Sequence, residues 1–162
     1  MAKQVEEEGI KVVASNRRAG FDYELGELIE AGIALTGGEI KSIRDGRMDL
    51  RDAFVQIRRA EAFLINAYIP AYALATGFAR AAALESGERR ERKLLLHKKQ
   101  IGDLRVGIDQ KGFTAIATRV YLKKGRAKVV VALARGKKHY DKRQSIARQD
   151  ARRDIDRALK ER

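Results

Sequence analysis

Cysteine and tryptophan are both absent from this 162-residue chain, and Pro70 is its single proline. Without a thiol, disulfides, thiolate metal sites and a cysteine nucleophile are excluded, and the composition suits the reducing cytoplasm. Aromatic residues make up only 6 %, so the bulky apolar belt that an interfacial membrane helix sets beside its bases is missing. No apolar run approaches membrane-spanning length, and no charged-then-apolar signal segment is expected at the start. No membrane association is expected. Histidine is scarce as well: His97 and His139 are the only two, and neither belongs to a constellation of the kind catalysis requires. No cofactor or metal is expected, nor any repeat at a solenoid period.

What the chain does have is positive charge. There are 35 Lys+Arg against 22 Asp+Glu, a net +13, alongside 44 % apolar residues. The apolar share is enough for one domain with a core, with room for an appendage. The charge excess attracts polyanions, nucleic acid before membrane. Its distribution is uneven. Residues 1–30 carry a net −3, whereas the 21 residues from Lys123 to Arg143 carry +8. The Glu6-Glu7-Glu8 run reads as a solvated N-terminal stretch.

Along the chain, "IKVVASN" alternates as a short strand with Ile10, Val12 and Ala14 on one side. "FDYELGELIEAGIALTG" mixes strand formers with glycines at 26, 32, 37 and 38, which predicts bent or bulged strands. "GEIKSIRDG" predicts a helix of one or two turns with Ile40 and Ile43 as core residues. Two hairpins follow from alternation around tight polar connections: "AFVQIRRAEAFLINAYI", and "FTAIATRVYLKKGRAKVVVALARG" with Val129, Val131 and Leu133 on one face. Between them, the stretch from Pro70 to Arg92 reads mostly as an exposed loop. "ERKLLLHKKQIGDLR" reads as the best helix, with Leu94, Ile101 and Leu104 on one stripe and Leu95 projecting away from it. After Gly136 the strand pattern stops. Ile146, Ala147, Ala151, Ile155, Ala158 and Leu159 then mark one side of a weak helix, expected to be mobile when free and helical when held. The fold class is therefore mainly β with peripheral helices. It predicts an OB-fold-like small β-barrel over residues 1–134 and a basic C-terminal tail over 135–162.

The phosphate-loop pattern is approached by "GGEIKS" but fails, because Glu39 and Ile40 stand between the glycines and Lys41-Ser42. Basic clusters are the strong generic signal, since phosphate contacts supply affinity by counterion release. Phe54, Phe63 and Phe113 lie in alternating apolar strands and are expected in the core. That leaves Tyr140 as the ring inside a basic run. The pattern favours a folded RNA read by shape and backbone over an indiscriminate single-strand binder.

In order and near spacing, "SNRRAGFDY", "EAGIALTGGEIKSIR", "AFLINAYI", "RKLLLHKKQI" and "GRAKVVVALARGKKHYDKR" resemble the SsrA-binding protein (SmpB) family, from about Ile10 to the C-terminus. The resemblance implies an OB-like barrel that is not an enzyme. It also implies binding to the tRNA-like domain of transfer-messenger RNA (tmRNA), and delivery to the vacant A site of stalled bacterial ribosomes. There the protein stands in for the codon–anticodon arm, its tail lies in the empty mRNA channel, the nascent chain is tagged and the ribosome is rescued by trans-translation. RNA-binding positions carried over are Asn16, Glu30 and Leu95, with phosphate contacts from Arg17, Arg18, Lys41 and Arg44. The ribosome-facing tail segment is Gly136, Lys137, Lys138, Tyr140, Asp141, Lys142 and Arg143. Asn16 has an alternative as a strand end or turn cap, and Glu30 as surface charge. One monomer per tmRNA, working in the cytoplasm, is the implied state. The competing reading from composition is a ribosomal or assembly protein that binds ribosomal RNA.

Overall fold

The computed structural model describes residues 9–110 and 112–161, so the Glu6-Glu7-Glu8 run lies outside the described residues. In chain order the elements are β1 (Ile10–Ser15), α1 (Ala19–Asp22), β2 (Tyr23–Ile33), α2 (Gly37–Arg44), β3 (Phe54–Arg58), β4 (Glu61–Ile65), α3 (Gly77–Ser86), β5 (Arg92–Leu95), α4 (Lys98–Asp109), β6 (Phe113–Lys123), β7 (Arg126–Gly136) and α5 (His139–Lys160). The strands form one antiparallel sheet in the order β1-β6-β3-β4-β5-β2-β7, and β7 pairs back onto β6. Six strands thus close into a ring. β1 is added outside it, on the edge of β6 that β3 leaves open. Closure removes sheet edges, which is how small all-β domains avoid edge-to-edge association. The expected OB-like architecture with peripheral helices is the one observed.

The ring has long arms and short seams. β6 pairs with β7 from Phe113↔Arg135 to Lys123↔Arg126, and β2 follows β7 from Tyr23↔Gly136 to Gly32↔Lys128. By contrast, β2 meets β5 only at Gly32↔Leu95 and Ile33↔Leu94. Both predicted hairpins are present. Their two-residue turns take left-handed backbone at both positions: Arg59 and Ala60 (φ 49° and 59°), Lys124 and Gly125 (φ 50° and 75°). This is the mirror-image turn geometry that matches strand twist. β2 is bulged between Leu25 and Leu28, as its glycines predict. At Gly26 a side chain would meet the Leu133 carbonyl at 3.1 Å.

Inside the ring, Ala31, Ile33, Val55, Leu64, Leu94, Val120, Val129 and Val131 form the core, joined by Ile43 from α2 and by Ile101 and Leu104 from α4. The short helix over "GEIKSIRDG" is α2. Thr36 and Glu39 close its first turn in a reciprocal capping box, each side chain accepting from the other's backbone N–H at 3.3 Å.

Several expectations are overturned, each for a local reason. The single helix expected over "ERKLLLHKKQIGDLR" is a strand, β5, followed by α4. Arg92 and Leu94 are buried while Lys93 and Leu95 are exposed, a period of two that a buried arginine hides from any hydrophobicity count. The expected loop between Pro70 and Arg92 contains α3. Its inner side is alanine (Ala79, Ala82, Ala83) and its bulkier Phe78 and Leu84 face outward, so no apolar stripe marks it. In β1 a bulge between Val12 and Ala14 breaks the alternation, leaving Val12 exposed and Val13 against the core. Phe54, Phe63 and Phe113 are half-buried; Phe54 packs against the small cluster of Ala19, Ile116 and Ala134, while the other two are outside the core clusters. The Arg58 guanidinium stacks 4.7 Å from the Phe63 ring centroid and Arg135 lies 5.9 Å from that of Phe113. The tail is the long helix α5, without a buried residue. Nine residues at about 100° each put Ile146 and Ile155 on opposite sides, so the expected stripe is split.

One buried ion network braces the short seam. Arg92, at the start of β5, has no solvent exposure. It donates to the carbonyls of Ala67 (2.8 Å), Arg90 (3.1 Å) and Glu88 (3.1 Å), and its Nε lies 3.3 Å from Glu39 Oε2. Arg90 forks onto the same carboxylate at 2.5 and 2.8 Å. Burial pushes the Glu39 carboxyl upward, but the hydrogen bonds and charges of Arg90 and Arg92 outweigh it and hold it below the ordinary 4.5. A lowered carboxyl contributes stability above its ordinary value and loses it as pH falls through the folded value. Glu39→Gln should therefore destabilise the neutral protein by about 3 kcal/mol, leaving a buried guanidinium uncompensated. Below about pH 4.5 the parent should approach the variant in urea midpoint. Parallel acid sensitivity in both proteins would refute this account.

Candidate nucleic-acid interface

Strand register assembles the outer surface of the ring row by row. Directly across the sheet stand Val12 (β1), Tyr121 (β6), Lys128 (β7), Gly32 (β2) and Leu95 (β5). The adjoining row holds Ser15, Arg119, Val130 and Glu30. Side chains on one face of a strand recur every second residue, so these two rows share one face. Leu95 is 58 % exposed at the end of this platform. It lies over Gly32, where a β-carbon would stand 3.2 Å from that of Leu95. Gly32 is thus the gap into which Leu95 fits. Two hollows flank the leucine. One, of about 430 Å³, is lined by Ala60, Glu61, Lys93 and His97; the other, of about 370 Å³, by Gly32, Leu35, Ile40, Arg126 and Lys128. In the first, Lys93 is ion-paired with Glu61 at 2.8 Å, so the free bases edge the second. A protruding apolar side chain beside a basic-edged hollow suits packing against RNA riboses or bases, with phosphates held at the rim.

Glu30 is exposed on β2, and its carboxylate accepts a hydrogen bond from the Tyr121 hydroxyl. The Arg119 guanidinium lies 5.5 Å from the Tyr121 ring centroid. The platform therefore unites Leu95 and Glu30, both expected from the sequence, with Lys128 and Arg119, which sequence reasoning missed; Tyr121, itself buried, holds the Glu30 carboxylate. Alternation in the second hairpin placed each on a face. Only the register across four strands shows that they meet Leu95 and Glu30.

The other expected residues are dispersed. Asn16 follows Ser15 at the platform's edge, but its amide turns inward and donates to the carbonyls of Leu50 and Ala117, 3.4 Å each. It also lines a cleft of about 850 Å³ with Arg18, Arg51 and Arg89. Arg18 pairs loosely with Asp22 at 3.6 Å, while Arg17 turns toward the tail helix. Lys41 stacks 5.5 Å from the Tyr72 ring on the outer side of α2. Arg44, at the end of that helix, accepts from Lys11 Nζ through its carbonyl at 2.9 Å.

The tail segment divides into anchors and exposed groups. Gly136 still belongs to the sheet, opposite Tyr23. Lys137 is an anchor: its N–H donates to Asp22 O at 2.9 Å and its Nζ to Gly20 O at 3.0 Å and Ser145 Oγ at 3.1 Å. Lys142 adds an ion pair to Asp22 at 3.6 Å. Lys138, Tyr140 and Arg143 are exposed, and Asp141 stands in the first turn of α5, where a negative charge complements the helix dipole. Among the described residues, no group of three or more His, Cys, Asp or Glu could hold a metal. No helix among them is long and apolar enough to cross a membrane.

A closed antiparallel ring carrying a basic platform, with a cationic helix attached, defines an RNA-binding protein of the OB-like class. Comparison with known proteins narrows the class. The family model described as SmpB protein matches residues 13–161. The chain is 50 % identical over 158 residues to the SsrA-binding protein of Shouchella clausii, covering 94 % of each chain. It is 47 % identical over 153 residues to that of Acaryochloris marina, covering 94 % and 96 %. A solved structure described as "tmRNA-SmpB: a journey to the center of the bacterial ribosome" matches with a TM-score of 0.64 and 38 % identity, over 85 % of this chain and 94 % of that one. The chain belongs to the SmpB family.

The geometry separates two variants that sequence alone treats alike. Leu95→Ala removes an exposed side chain and should leave the melting temperature unchanged while weakening RNA binding about tenfold, the worth of a partly buried leucine. Asn16→Ala strips two carbonyls of their donor and should cost about 1 kcal/mol of stability. A Leu95→Ala protein that binds RNA as tightly as the parent, by fluorescence titration, would remove Leu95 from the interface.

Proposed function

We propose that this protein is the tmRNA-binding factor of trans-translation. Its platform binds the tRNA-like domain of tmRNA, and the pair is delivered to the A site of stalled bacterial ribosomes. The protein stands in for the missing codon–anticodon arm. The observation that carries this reading is the match along body and tail alike, residues 13–161, to a family whose solved member is described with tmRNA in the bacterial ribosome.

The work divides between two parts. Leu95, Glu30 and the bases Lys128, Arg119 and Arg126 face the tRNA-like domain, with Asn16 and Arg18 at the margin, Arg17 toward the tail, and Lys41 and Arg44 on the neighbouring helix. The tail enters the empty mRNA channel. There Lys138, Tyr140 and Arg143 meet ribosomal RNA, while Gly136, Lys137, Asp141 and Lys142 set the departure and first turn of α5. The protein acts by binding and positioning, not turnover, with no cofactor or metal. It works in the cytoplasm as a monomer on one tmRNA, leading to tagging of the nascent chain and release of the ribosome.

The test is preference. In moderate salt with excess ribosomal RNA, the full chain should retain tmRNA. Equal displacement by ribosomal RNA would favour a ribosomal or assembly protein instead. Truncation after Lys138, beyond the last residue of β7, should keep most tmRNA affinity and abolish tagging in a stalled-ribosome translation assay. Tagging by the truncated protein would overturn the channel role of the tail.

A further inference from the structure

A groove of about 710 Å³ runs between the barrel and the tail helix, away from the Leu95 platform. Its barrel side is Arg17, Gly20 and Phe21; its helix side includes Arg148, Arg152 and Ile155. No carboxylate among the described residues lines it. Among the described residues, none gives the side chains of Arg17, Arg148 or Arg152 an ion-pair or hydrogen-bond partner. Three other cations near this junction are engaged: Arg18 and Lys142 on Asp22, Lys137 on Gly20 and Ser145. Lys138 and Arg143 at the root of α5 are exposed like the groove arginines, but neither lines the groove.

Three like charges facing one cleft repel, and here they sit on two parts of the chain, one before α1 and two on α5. An anion between them converts that repulsion into attraction. Phe21, Ala151 and Ile155 give the lining its apolar area, beside the polar Ser145 and Gln149. Guanidiniums set beside apolar area and a ring match a nucleotide: phosphates at the guanidiniums, a base against Phe21. An acidic peptide offers the charge but not the flat ring face.

We propose that the groove between α1 and α5 is a second RNA-binding site. In it Arg17, Arg148 and Arg152 hold the phosphates of a single-stranded segment, so that RNA itself fastens the tail helix to the barrel. This rests on the protein's being an RNA-binding factor and is independent of which RNA the platform holds.

The experiment uses the full chain and a short single-stranded RNA titrated across a salt series. Arg148→Gln with Arg152→Gln should weaken binding several-fold and flatten the log–log salt slope by about 1.4, at about 0.7 per lost phosphate contact. Arg17→Gln, on the barrel side, should flatten it by about 0.7 without touching the helix. Arg157→Gln with Lys160→Gln removes equal charge from α5 outside the groove and should have a clearly smaller effect. Added RNA should also slow amide exchange across residues 148–155 in the parent but not in the groove variant. Equal losses in the groove and control pairs would overturn the proposal in favour of general polycation attraction. Unchanged slopes would overturn it outright, and an oligoglutamate peptide that displaces the RNA at matched charge would reassign the groove to acidic protein. Loss of tmRNA preference over ribosomal RNA would refute the trans-translation reading while leaving the groove result intact.

Discussion

Ring closure between β2 and β5 is the constraint on which the rest depends. Two register pairs make it, Gly32↔Leu95 and Ile33↔Leu94. One pair faces inward and joins the core; the other faces outward and forms the end of the platform. The same four residues therefore seal the barrel and present its protruding leucine. So short a seam has little stability of its own, since isolated two-stranded pairings are marginal in water. It is held from both sides by other means. β7 pairs with β2 along nearly its whole length on both sides of the bulge, and the Glu39–Arg90–Arg92 network ties the start of β5 to α2 and to the chain beyond β4.

Charge in this protein is graded by burial. At the centre, Arg92 is dry, donating to carbonyls through its terminal nitrogens and ion-paired with one carboxylate, while its Nε makes no hydrogen bond. At the surface of the ring, Arg58 and Arg135 lie over half-buried phenylalanines, where a guanidinium covers apolar area and keeps its charge in water. Further out, Lys138, Arg143, Arg148 and Arg152 are open to solvent. An excess of +13 is tolerable in a small domain because it is spread over these environments, and most of it faces outward toward a polyanion.

Much of the fold was legible in the sequence because hairpins announce themselves locally. Alternation on either side of Arg59-Ala60 and of Lys124-Gly125 is enough to place four strands. Glycines 26 and 32 marked β2 as bent. What was not legible depends on partners remote in the chain. β5 looked helical because Arg92 is a core residue only when Glu39 and three carbonyls surround it. α3 looked like a loop because alanines are all its packing surface requires. At the candidate interface, Leu95 was recognised as a misfit on the wrong argument: it is exposed by the alternation of a strand, not by the turn of a helix. Asn16 shows the reverse case, a position expected at the RNA that also serves the barrel's own carbonyls. Lys128 and Arg119 were visible as charge, but their place opposite Gly32 and Val130 comes from pairing alone.

The junction after β7 has a mechanical consequence. Between the last strand residue, Gly136, and the first residue of α5, His139, lie only Lys137 and Lys138. Lys137 is pinned to α1 by its backbone and its ammonium. A helix of 22 residues extends from that pin, about 33 Å long at 1.5 Å per residue. It is a lever on a short fulcrum: a tilt of about 10° at the root would carry the far end about 6 Å, roughly the spacing between neighbouring phosphates along an extended strand. Torsions in two residues thus set where the end of the chain reaches, with the ring itself unmoved.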